Sequence, residues 1–157
     1  MTAAAILVPT IGWACEPFEA SSPVSPREVH FVDRGTDAGV HAGDMRVGER
    51  AVTNLDGDRI GSYLFVQTIH AVDEEGHAAD RTMQRVFVLD DGVIFTTWHF
   101  AEKPRAAADD TTASLIPAGV HAADIIGGTR AYTGASGTME LEQDDLVMTF
   151  RFDIACD

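Results

Sequence analysis

Positive charge is scarce in this chain. Its 11 Lys and Arg stand against 25 acids, for a formal net charge of −14, and the basic residues are scattered singly. A phosphate backbone or an anionic membrane surface would be repelled, so neither nucleic acid nor membrane is expected as a partner. Long apolar runs are missing as well, and no stretch is long enough to span a bilayer as a helix. The apolar start "AAAILVPTIGWAC" has no basic segment and is broken by Pro9 and Gly12. That speaks against a secretory signal and for a cytoplasmic protein. Cysteine is limited to Cys15 and Cys156, near opposite ends of the chain. A disulfide tying the tail to the last strand is open to them, but connectivity does not follow from sequence. Two free, mostly buried thiols are the plainer expectation for a cytoplasmic chain.

Chemistry-bearing motifs are equally sparse. The histidines at 30, 41, 70, 77, 99 and 121 show no pair spacing with a carboxylate that marks a metal site, and two cysteines make no zinc cluster. His30 and His41 are expected at the surface. The serines have no nucleophile-elbow context. The glycines of "GGTRAYTGASG" (127–137) match neither a phosphate loop nor a dinucleotide fingerprint. No metal and no cofactor is therefore expected.

What the chain does have is alternation. In "LVMTFRFDI" (146–154), Leu146, Met148, Phe150, Phe152 and Ile154 share one face, with Val147, Thr149, Arg151 and Asp153 on the other. That is a period of two, the mark of a strand. "TMELE" (138–142) alternates too, and Gln143-Asp144-Asp145 between the two has turn composition, which predicts a hairpin. Upstream, strands are expected over 27–34, 43–53, 60–72, 81–89 and 93–100, with turn signals in "NLDGDR" and "DDG". "ASLIPAG" and "VHAADIIGG" follow an Ala- and Asp-rich loop at 101–112. Seven or eight short strands without a long amphipathic helix predict an all-β domain, barrel or sandwich. Strands 60–72 and 81–89 carry large residues on both faces, which favours a barrel with its outer face covered by the tail or by a second subunit. A homodimer or trimer fits that expectation. The glycines then serve a barrel corner, where side chains would clash and positive φ is needed.

The motifs also resemble a family. "IIGGTRAYTGASGTMEL" is similar to the glycine-rich signature near the end of dirigent proteins and allene oxide cyclase barrels. Gly127, Gly128, Thr129, Tyr132, Gly134, Ala135 and Gly137 match, while Arg130 stands where a glycine is usual. "GDMRVGERAVTNLDGDRIGS" and "VFVLDDGVIFTTW" resemble a strand–turn–strand and a hairpin of the same barrels. The resemblance implies an eight-stranded antiparallel β-barrel of the allene oxide cyclase, calycin-like kind, with an apolar lumen. Residues 1–26 would be an N-terminal arm or lid, and 27–157 the barrel. The bacterial branch includes spirotetronate cyclases, which fold a linear polyketide for intramolecular [4+2] closure. The function implied is thus a cofactor-free cyclase acting on an apolar small molecule. The alternatives are a lipocalin-like binding protein and a dirigent-type steering protein. The matched motifs mark turns, so no catalytic residue is carried over.

Candidate site residues come from alternation alone. Met148, Phe150 and Phe152 are expected to point into the lumen, with Met139 on the neighbouring strand. Tyr63, Phe65 and Gln67 share one face, and Met83 and Arg85 share another. Phe95, Thr97 and His99 alternate with Trp98 and Phe100, and the inward set is not fixed; Phe95, Thr97 and Trp98 are carried as wall candidates. Buried polar groups need hydrogen bonds, so Tyr63, Gln67 and Arg85 are the catalytic candidates, able to orient substrate oxygens. Arg85 could hold an acidic, tetronate-like head or lie on the outer face. Glu49 is expected to be solvated rather than an internal base. The mixture of Trp13, Phe18 and four prolines near the start predicts an ordered arm, serving as lid, cover or exchanged segment.

Overall fold

A computed structural model describes residues 15–23, 29–33, 40–74, 78–100, 119–144 and 146–157. Among these, every regular element is a strand: β1 (Phe18–Pro23), β2 (Val29–Val32), β3 (Met45–Thr53), β4 (Arg59–Val72), β5 (Ala78–Leu89), β6 (Gly92–Phe100), β7 (Gly119–Arg130), β8 (Ala135–Gln143) and β9 (Val147–Cys156). Adjacent strands from β3 to β9 pair antiparallel in chain order; β1 pairs with β9 and returns to β3. The result is a closed eight-stranded antiparallel barrel, with β2 added along the first half of β3. No helix of the described residues is long and apolar enough to cross a membrane.

The turns form where side chains can answer backbone groups. In "NLDGDR", the Asn54 carboxamide oxygen accepts the Asp58 N–H at 2.8 Å, and Gly57 takes φ of 90°, which favours glycine. In the last hairpin, Asp144 Oδ1 accepts the N–H groups of Leu146 at 2.8 Å and Val147 at 2.7 Å. These two backbone N–H groups hold the Asp144 carboxyl below its usual range.

The expected arm is partly barrel wall. Strand β1 comes from "FEASSP", ahead of the expected boundary at 26/27, and lies against β9 over its whole length. Its inward face begins with Phe18, but Ala20 and Ser22, fully buried, are small, so no run of period-two hydrophobics marks the strand. The strand expected first, at 27–34, is instead β2, exposed throughout and outside the barrel ring. Residues 1–14 and 24–26 of the arm, with Trp13, lie outside the described residues, as do His77, the loop at 101–112 and all of "ASLIPAG" but Gly119.

The free-thiol expectation is overturned: Cys15 is bonded to Cys156, with Cα atoms 5.6 Å apart. The cause is the register of β1 on β9. Phe18 stands opposite Phe152, and continuing that antiparallel count brings position 15 alongside the end of β9.

Inside the ring, one cluster runs from Ala20 and Val52 through the aromatics to Ile154. Phe87 meets Phe150 and Phe152 edge-on at 5.1 Å in both cases, and Tyr63 meets Phe150 at 5.3 Å. Each such pair contributes about 0.5–1.5 kcal/mol beyond its buried area. On the outside, Leu64 and Val88 remain exposed, with Val66, Val86, Val93 and Phe95 half-buried around them.

Candidate functional site

Strands β4, β5 and β6 set the inner wall in rows. Tyr63 stands opposite Phe87, which stands opposite Ile94; Phe65 opposite Arg85, then Thr96; Gln67 opposite Met83, then Trp98. Ile69, Arg81 and Phe100 form the next row. Since cross-strand partners share a face, the interior changes along the barrel axis. Near the disulfide and the glycine-rich turn it is an aromatic plug of Tyr63, Phe87, Phe150 and Phe152. Towards the other end it becomes polar, with Gln67, Arg85 and Thr96 buried among Phe65, Met83 and Trp98.

Most of the candidates from sequence meet inside the barrel. Tyr63, Phe65, Gln67, Met83, Arg85, Trp98, Met139, Met148, Phe150 and Phe152 are all buried. Phe95 and Thr97 are not among them. They share the outward face with exposed His99, because the inward set of β6 is Ile94, Thr96, Trp98 and Phe100. Glu49 is exposed, on the outer side of β3. Arg81 and Thr96 were missed. Arg81 lies two and four residues before Met83 and Arg85, so period two already placed it on their face.

The polar groups of this zone are unusual for a core. Arg85 is 1% exposed, and its Nε, Nη1 and Nη2 have no hydrogen-bond acceptor among the described residues. Burial lowers its pKa to about 10, the Tyr63 phenol pushes back, and the Arg50 cation lowers it further. At neutral pH it stays charged. Burial pushes the Tyr63 phenol above its usual value, while Arg85 and Arg50 pull it down. Its hydroxyl points at Met148 Sδ, 3.7 Å away, a weak acceptor. Thr96 Oγ1 is buried with no partner among the described residues. Arg50, opposite Tyr63 on β3, is half-buried and donates from Nη1 to the Pro23 carbonyl at 3.2 Å.

Beyond that zone the wall ends in a stack. The Arg81 guanidinium lies 4.2 Å over the Phe100 ring, Phe100 stacks on Trp98 at 4.1 Å, and Trp98 meets His121 at 4.7 Å. The Phe100 face stabilises Arg81 through cation–π attraction.

Two features lie apart from these residues. A cavity of about 340 Å³ sits at the disulfide end, between Phe18, Ile60, Leu89, Asp90, Asp91 and Tyr132. Among the described residues, Asp33, His41 and Asp44 form the one group with metal-ligating atoms close together. His41 Nδ1 is 3.7 Å from Asp44 and 3.9 Å from Asp33. Asp44 already accepts the His41 backbone N–H at 2.7 Å.

The barrel is shared with known enzymes. A pyocyanin demethylase superposes with a TM-score of 0.61 over 89% of this chain and 100% of its own, at 17% identity. AbnU, described as an exo-specific intermolecular Diels-Alderase, gives 0.55 over 87% and 93% at 13% identity. The Diels Alderase AbmU from Streptomyces koyangensis gives 0.56 over 87% of this chain but 61% of its own, at 14% identity. This chain therefore spans less than two thirds of AbmU. No protein-family model and no curated protein matches the sequence. At these identities the likeness establishes a common fold, and one fold hosts different chemistries.

Proposed function

We propose that this chain is a cofactor-free cyclase of natural-product biosynthesis, of the bacterial branch of allene oxide cyclase-like barrels. It would fold a linear polyene or polyketide inside the barrel for intramolecular ring closure, with [4+2] the favoured reaction. The observation that carries this reading is Arg85: a buried donor without an acceptor among the described residues, set among apolar and aromatic walls beside Tyr63 and Thr96. The barrel shared with Diels-Alderases supports it.

A [4+2] closure forms two carbon–carbon bonds, loses no atom and needs no redox partner. It asks for positioning and for donors. Holding diene and dienophile in a near-attack pose removes part of the roughly 7–11 kcal/mol available to well-oriented reactions. A hydrogen bond from Arg85 or Tyr63 to the carbonyl conjugated with the dienophile would polarise it in the transition state. The raised pKa of Tyr63 keeps its phenol neutral and able to donate. Gln67 and Thr96 would orient further oxygens, and Phe65, Met83 and Trp98 would hold the chain.

Chiral chromatography of a linear diene–dienophile tetronate, incubated with and without the protein, tests the proposal. Faster appearance of one stereoisomer supports a cyclase. Retention of the substrate on the protein without acceleration would make the chain a binding protein instead. The Cys15–Cys156 bond forms and persists under oxidising conditions. Assaying the oxidised chain is therefore the appropriate start.

A further inference from the structure

The barrel interior holds a cation that no acid among the described residues neutralises. The groups that act on the Arg85 guanidinium are the Tyr63 phenol and a second cation, Arg50. None of its nitrogens has an acceptor among the described residues, although the chain carries 25 acids. Burying an unpaired charge costs more than burying an apolar side chain of similar length. A fold that keeps such a residue at the centre of its inner wall needs a compensating partner. Next to it in register stands Thr96, whose buried hydroxyl also lacks a partner among the described residues. The two donors therefore stand in one cross-strand row of the inner wall, which Phe65 continues.

We infer that this interior takes an anionic ligand, whose planar, delocalised oxyanion pairs with Arg85 and accepts a hydrogen bond from Thr96. A carboxylate and the enolate of a 1,3-dicarbonyl share that chemistry. Arg50 adds positive potential from the seam where β1 meets β3 at one registered pair, Ser21 opposite Thr53. The inference rests on the interior being the ligand site, as proposed above, and not on ring closure.

Isothermal titration of the oxidised full chain with two matched pairs tests it: sorbate against sorbamide, and tetronic acid against its methyl enol ether. The anion of at least one pair should bind about 30-fold more tightly than its neutral partner, the worth of a charge-assisted pair in a dry site. Which pair shows the preference tells a carboxylate from an enolate. Arg85→Met should erase the preference and raise the melting temperature, because an unpaired buried charge gives way to an apolar chain. Arg85→Lys should keep part of the preference. If neither anion outcompetes its neutral partner, through equal binding or none, the inference is overturned. It also fails if the preference survives Arg85→Met, or if that variant melts lower than the parent. An anion preference without accelerated ring closure would sink the cyclase and leave this inference standing.

Discussion

Tyr132 lies directly over Gly128. A Cβ on that glycine would meet the Tyr132 Cβ at 2.6 Å and the Val93 carbonyl oxygen at 2.7 Å, besides the Tyr132 carbonyl oxygen. Two of these three atoms belong to the backbone, so relief requires moving β6 or the β7–β8 turn. Gly128→Ala should therefore destabilise the barrel by about 1–3 kcal/mol, the usual range for overpacking. Denaturant melts of the two proteins would show it; an unchanged midpoint would mean that the turn is looser than this contact requires.

Arg130, two residues on, breaks the glycine pattern and adopts φ of 58° all the same. A residue with a Cβ loses about 1–2 kcal/mol in the left-handed region, while glycine gives back about 0.5–1 kcal/mol through the unfolded chain. The difference predicts that Arg130→Gly stabilises the protein by about 0.5–1 kcal/mol. Its side chain is exposed, so little packing is lost. A thermal melt reads the sign, and a lower midpoint would count against left-handed strain at this position.

These two residues also show what could be read beforehand. Glycines at a barrel corner are a backbone requirement, and backbone requirements leave marks in sequence. Strand β9 carries large inward residues at every second position with mostly polar ones between, so its inner face was readable. On β6, Phe95 and Trp98 are both large, and only cross-strand register, Trp98 opposite Met83, decides between them. Strand β1 was hidden because its inward face, after Phe18, continues only as the small residues Ala20 and Ser22. The pairing of Cys15 with Cys156 followed from that hidden strand.

The bond between these cysteines spans a sequence separation of 141, so it removes much freedom from the unfolded chain. Cys156→Ser, or reduction, should lower stability by about 2–5 kcal/mol. The loss should be felt first in β1, which is held by β9 on one side but meets β3 at a single registered pair. Hydrogen exchange would then quicken in residues 18–23 before the rest of the barrel. Uniform quickening across all strands would argue that the bond supports the whole fold equally.

Asp144 sets the last hairpin through charge as well as shape. Its carboxylate accepts two backbone N–H groups, which lowers its pKa in the folded state. A carboxyl with a depressed folded pKa binds its proton more readily when unfolded. Its stabilising effect is therefore present above the ordinary carboxylate pKa and fades as pH falls through the depressed value. Asp144→Ala should melt below the parent at neutral pH, and the gap should narrow on acidification through that window. Asp144→Asn, which keeps an acceptor oxygen, should lie between the two at neutral pH and be insensitive to this titration. Melts of the three proteins across pH would decide it. A gap that stays constant into acid would show that the hydrogen bonds, rather than the charge, set the turn.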